Sequence, residues 1–169
     1  MEPRLVLELV PQSSWRKNVR NLVPSRTWDL LRFYCYERAG HKCEICGGVG
    51  DRHPVECHEI WHYDEEKHEQ TLVGLQALCP DCHSCKHIGM ANRLGKLDHC
   101  IKHLMNVNEM SRCQAERMIQ DAFALWRERS AFQWVVNMDL LPDLVSTALS
   151  SQSPKGKSRK TKPSGPNSR

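Results

Sequence analysis

Residues 79–87 read Cys79-Pro80-Asp81-Cys82-His83-Ser84-Cys85-Lys86-His87, and an earlier stretch reads Cys43-Glu44-Ile45-Cys46-Gly47-Gly48. Each contains a Cys-x-x-Cys pair. Two thiolates at that spacing can grip one ion from a tight turn, and glycine after the first pair relieves the backbone there. Together the pairs supply four thiolates, Cys43, Cys46, Cys79 and Cys82, the closed set expected of structural zinc. The 32 residues between them exceed the spacing of compact zinc ribbons, so the metal is expected to clamp the base of an inserted functional loop.

Within that loop, Val55-Glu-Cys-His-Glu-Ile-Trp61 suggests a strand that presents His58 and Glu59 near its end. An acidic loop follows at 64–69, and the apolar run Leu72–Leu78 leads into the second cysteine pair. A helix is expected to start after it. His83 and His87, four apart, then share one helical face. Two imidazoles so spaced can hold one ion, faced by His58 and a carboxylate from the strand, making a second metal site open to water. Taken singly, each of these residues has a plainer reading: His83 as support for the neighbouring zinc, His62 and His68 as solvent-facing, Glu65 and Glu66 as a solvated loop.

Working outward, the chain has 169 residues, enough for one compact domain with extensions. It has no apolar run long enough to span a bilayer, and Met1–Val10 carries Glu2, Arg4 and Glu8, so it does not read as a signal peptide. Nine cysteines with two Cys-x-x-Cys pairs fit metal binding in a reducing cytosol better than a disulfide framework. The five left over, Cys35, Cys57, Cys85, Cys100 and Cys113, are expected to be buried free thiols. Net charge is +4, but residues 151–169 hold six basic residues and no acid. The body, 1–150, therefore carries 18 of the 24 basic residues against all 20 acidic ones. It is a near-neutral globule with a basic tail.

The flanks read as structure. Leu5–Val10 suggests a short strand stopped by Pro11, and Trp28, Leu31, Tyr34 and Cys35 recur at helical spacing from about Ser25 to Ala39, with Gly40 as the stop. Leu97, Ile101 and Leu104 share a helical face. Ser111 with Gln114 forms a capping-box signature for a helix striped by Ala115, Met118, Ile119, Ala122, Phe123 and Trp126. Phe132–Leu140 suggests a final strand. From about Ser150 the composition of Ser, Lys, Pro and Gly suggests disorder. The expected organisation is an N-terminal strand and helix over 1–42, the zinc-bound core over 43–90, a helical extension with a short strand over 91–149, and a basic tail over 150–169.

The order of cysteine pair, His-bearing strand, apolar run, and cysteine pair followed at once by His resembles the HNH endonuclease family. The likeness is to the subgroup whose ββα-metal fold is held by four cysteines. It covers about 50 residues, and Leu78-Cys79-x-x-Cys82-His83-x-x-Lys86-His87 is its most specific part. The flanks Trp28–Gly47 and Ala122–Ser130 look similar to those of small bacterial and phage HNH proteins. The resemblance implies an α+β fold: a small zinc-stapled ββα-metal core with flanking helices and short terminal strands. It also implies a metal-dependent endonuclease, with nucleic acid, most naturally DNA, as partner and an intracellular setting. Structural Zn2+ and a catalytic divalent ion, Mg2+ or another, are the implied cofactors. In the family, a strand histidine acts as general base, and the ion is held by the preceding residue and by the histidine after the second cysteine pair.

Two registers fit. In one, His58 is the base and Cys57 replaces the metal-binding acid. In the other, His58 binds metal and Glu59 stands where the base should be. Either way His58 and His83 are indispensable; with Glu59, which discriminates the registers, they are the expected catalytic residues, and His58, His83 and His87 are the candidate ligands of the catalytic ion. The family's middle asparagine is replaced by Gly74. A second hypothesis follows from these departures: a non-catalytic zinc module that binds nucleic acid or a protein.

Overall fold

The computed structural model describes residues 2–152. Over them it is an α+β protein with seven α-helices and one three-stranded sheet. A 3-10 turn at Gln12–Ser14 leads to the helices α1 (Val19–Leu22) and α2 (Ser25–Arg38). The strands β1 (Glu56–Asp64) and β2 (Glu69–Leu78) follow as an antiparallel hairpin. Then come α3 (Pro80–Lys86), α4 (Ile88–Arg93), α5 (Leu97–Asn108) and α6 (Arg112–Ser130). The short strand β3 (Val135–Asn137) and the helix α7 (Leu141–Ser151) end the described chain.

The sheet order is β1-β2-β3, so among the described residues β1 keeps a free edge. One face of the hairpin packs on α2, which in turn packs on α7; the other faces α3. The sequence Leu72-Val-Gly-Leu-Gln-Ala-Leu78 does not alternate strictly, yet Leu72, Leu75 and Ala77 are all buried in one cluster. A bulge reconciles them. Gly74 pairs with Ile60 and Leu72 with Trp61, leaving Val73 unpaired and half exposed. The extra residue resets the phase of the pleat.

Two apolar clusters result. Val19, Leu31, Cys35, Val55, Cys57, Trp61, Leu72, Leu75, Ala77 and Ala148 fill the α2–α7 side. Leu5, Leu78, Ile88, Ile101, Leu104 and the metal-knuckle cysteines fill the α3–α5–α6 side. Each buried Leu or Ile stabilises the fold by roughly 1.5–3 kcal/mol. Because Leu5 and α5 share a cluster with Cys43 and Cys82, the three segments separated in the sequence reading close around common cores.

Several expectations are corrected. Leu5–Val10 is not a strand: the backbone N–H and C=O of Leu5 are both taken by the Asn108 side chain, at 2.8 Å each, instead of by a neighbouring strand. The expected final strand over Phe132–Leu140 shrinks to three residues, which pair in parallel with the start of β2 through Val135 N–H to His68 O at 2.9 Å. Ser150 and Ser151 belong to α7, whose Leu141, Leu144, Val145 and Ala148 pack on the α2 cluster. Gln152 caps that helix, and residues 153–169 of the expected basic tail lie outside the described residues. Cys113 is exposed, not buried. His68 is half-buried, its ring stacked at 4.1 Å on Phe132. The Ser111–Gln114 capping box is present in full.

Candidate metal centre

The first cysteine pair sits on a turn closed by two backbone bonds of 2.9 Å, Gly47 N–H to Cys43 O and Cys43 N–H to Gly48 O. Gly47 takes a φ of +76°, which glycine adopts without a Cβ penalty. The second pair opens α3. Cys79 is its N-cap and accepts from the Cys82 N–H at 3.5 Å, and Pro80 stands where a helix start needs no donor. The four sulfurs lie within 4.8 Å of one another, so Cys43, Cys46, Cys79 and Cys82 can hold a metal ion such as zinc. Their thiols share protons unequally. The hydrogen bond from Cys82 draws the Cys43 thiol down to about 4, burial pushes Cys79 up to about 11, and the bond to Cys43 pushes Cys82 up. His103 Nε2 on α5 stands 3.1 Å from Cys82 Sγ.

The knuckle is tied to the hairpin. Glu44 accepts from Ala77 N–H at 2.6 Å and meets Arg38 at 3.1 Å, and Arg38 donates to Leu75 O at 2.7 Å. These bonds tie the cysteine turns, the C-terminal end of α2 and β2 together. They fix where α3 leaves the sheet.

His83 of that helix and His87, the exposed residue between α3 and α4, face His58 of β1. The three imidazoles offer nitrogen atoms within 4.8 Å of one another. Their ring centroids form a triangle with sides of 5.3, 5.2 and 4.7 Å. Carboxylates hold two of the rings: Glu56 bonds His83 Nδ1, and Glu8 Oε2 stands 3.3 Å from His58 Nε2. His83 Nε2 is left 3.1 Å from His87 Nε2. A carboxylate on one ring nitrogen with a lone pair on the other is the usual support for an imidazole metal ligand. Burial lowers the pKa of His83, opposed by Glu56. Burial, then the charges of His83 and His58, brings His87 down to about 4. Burial would raise Glu8, but its bond to His58 and the charge of Lys86 at 3.5 Å outweigh it and hold the carboxyl below its usual range.

All-nitrogen donors suit a borderline divalent transition ion such as zinc or nickel. Magnesium prefers oxygen ligands, so this triad fits the expected Mg2+ poorly.

Glu59 is not in the triad. Strand alternation turns it to the opposite face, where one carboxylate oxygen accepts from Val19 N–H at 2.8 Å at the start of α1. Burial lifts its pKa to about 7, with the backbone bonds to Val19 and Arg20 pulling the other way. Both faces nevertheless reach one cleft of about 840 Å3 beside the free edge of β1, which His58, Glu59, His83 and His87 all line. Arg16, Lys17 and Arg20, all exposed, line it too.

Sequence reasoning missed Glu8, whose segment is brought to His58 by the Asn108 clamp, and the basic residues 16–20. The acidic residue in the apolar alternation of Leu5–Val10 was the available signal for Glu8. No protein-family model, curated protein or solved structure matches this chain. No helix among the described residues is long and apolar enough to cross a membrane.

Proposed function

We propose that the chain is a metal-dependent phosphodiester hydrolase of the HNH type, acting on nucleic acid, with the four cysteines holding structural zinc. One observation carries the reading: three imidazoles, two of them carboxylate-supported, converge on the wall of a cleft whose other lining includes Arg16, Lys17 and Arg20. A divalent ion held by His58, His83 and His87 would supply charge stabilisation for the phosphoryl oxygens and the leaving oxygen. The guanidinium and ammonium groups of residues 16–20 attract and orient the phosphate. In the second register Glu59, which lines the same cleft, takes the proton of the attacking water, a role for which its carboxylate must be released from the backbone N–H groups at the start of α1. His58 is then a ligand and not the base.

The test is to load the protein with zinc, add magnesium, manganese or nickel, and present supercoiled plasmid alongside a His58→Ala control. Nicking by the wild type alone is expected. A folded, zinc-loaded protein that cuts nothing with any of the ions overturns the proposal. One observation favours the binding-module reading: the Glu59 carboxylate already serves as a backbone acceptor at α1. Nucleic-acid binding without cleavage would select it.

A further inference from the structure

The same cleft has a second kind of lining that phosphate chemistry does not use. Trp15 and Trp126 stand side by side in it, their rings 6.3 Å apart and within 14° of parallel. Both indole N–H groups donate to one acceptor, the carbonyl of Val10, at 2.9 and 3.1 Å. The two rings are therefore pinned in a common plane direction before anything binds. Trp15 is nonetheless 54% exposed, an unusual placement for the largest apolar side chain. Arg16 and Lys17 follow it directly in the chain, and Arg93 on α4 lines the cleft as well.

We infer that the cleft takes an unpaired nucleotide, its base stacked on the Trp15–Trp126 platform and its phosphate directed to the basic residues and the three histidines. The substrate class is single-stranded nucleic acid, or an unpaired segment within a duplex. This inference rests on the hydrolase reading of the histidine site for its phosphate end only. Its base end stands on separate observations. A rigid, exposed indole offers a flat face, and only an unstacked base has a face to give; a paired base shows its edges. Cationic groups beside aromatic rings are the combination that grips single strands: charge tracks the phosphates and rings take the bases. Because Val10 fixes both rings, little side-chain entropy is lost when a base lands on them. The volume lies within the range of about 300–1,000 Å3 that holds compact organic ligands.

The test compares three labelled ligands by fluorescence anisotropy, without added divalent ion: a short oligothymidylate, a tetrahydrofuran abasic strand of equal length and charge, and a blunt duplex. The wild type is expected to bind the oligothymidylate about five- to a hundredfold tighter than the abasic strand, the range of one stacked base, with quenched tryptophan emission. Trp15→Ala is expected to erase that gap while leaving abasic binding unchanged, which also reports that the variant is folded. Trp15→Phe is expected to keep most of the gap. Equal wild-type affinity for the abasic strand, or tighter binding of the duplex, overturns the inference. Cleavage of the abasic strand at saturation reports the metal chemistry without a base. Turnover there with no base preference overturns the stacking inference and leaves the hydrolase reading standing. Base preference with no turnover on any strand does the reverse.

Discussion

Glu8 Oε2 lies 3.3 Å from His58 Nε2, joining an extended N-terminal segment to the metal-facing imidazole of an edge strand fifty residues away. The same carboxylate neutralises Lys86, a lysine only 7% exposed, at 3.5 Å. Glu8→Gln removes the carboxylate from both His58 and Lys86 while keeping the shape. It is expected to weaken divalent-ion binding at His58, His83 and His87 about 10- to 100-fold, the usual effect of losing a ligand's supporting carboxylate. Leaving Lys86 buried without its partner is expected to cost about 1–3 kcal/mol of stability. Calorimetric titration with nickel, on protein whose cysteine site is already filled, checks the first part and thermal unfolding the second. Unchanged nickel affinity would show that Glu8 only packs.

The four-cysteine knuckle makes a separate prediction. Its sulfurs converge, and its turns anchor α2, β2 and α3 together through Glu44 and Arg38. A metal held there contributes its binding energy directly to folding. Cys79→Ser is expected to purify without that metal and to unfold or aggregate. The serine hydroxyl can still cap α3, so the loss comes from the missing thiolate ligand. Metal analysis of the wild type showing well under one ion per chain would remove this account.

The centre of the molecule was legible because metal chemistry leaves a dense local signature. Two Cys-x-x-Cys pairs, a His-bearing strand and His83 with His87 on one helical turn are all short-range patterns, and the convergence of those cysteines and histidines in space follows from them. What failed was long-range or depended on partners. Leu5–Val10 alternates as a strand does, but Asn108 takes the backbone groups of Leu5. Residues 132–140 are apolar enough for a strand, yet only three find an edge to pair with, and Leu141–Ser151 coils into α7. The Val73 bulge could not be read from the apolar run around it. Glu59 stands out in the sequence beside His58, but which way it faces was decided by strand phase and by α1, whose capping demand it meets.

The tail boundary carries a prediction of its own. A chain ending after Gln152 keeps α7, and residues 153–169 contain no large apolar side chain to bury. That truncation is expected to leave Tm unchanged. It is also expected to flatten the salt dependence of nucleic-acid binding, because six positive charges are removed. A chain ending at Leu140 instead strips α7 from α2 and uncovers the cluster around Leu31 and Cys35. With roughly 1.5–3 kcal/mol for each large side chain exposed, its Tm is expected to fall by on the order of 10 °C or more. Equal Tm values for the two truncations would show that α7 adds nothing to the core.

Glu59 and His58 are neighbours in sequence that face opposite sides of β1, and the proposed hydrolase gives them different tasks. Glu59→Gln keeps an oxygen for the Val19 N–H, so α1 and the fold are expected to survive intact. It removes the ability to take a proton. Turnover is therefore expected to fall about 10²- to 10⁴-fold, the usual contribution of a general base, while metal and nucleic-acid affinities stay nearly unchanged. His58→Ala is expected to fail differently: with one of three imidazoles gone, the divalent ion itself is lost, and activity with it. Measuring turnover, nickel binding and oligonucleotide affinity on both variants separates the roles. If Glu59→Gln proves mild, and His58→Ala abolishes turnover while still binding the ion, the assignment is reversed: His58 is the base and Glu59 serves only to cap α1.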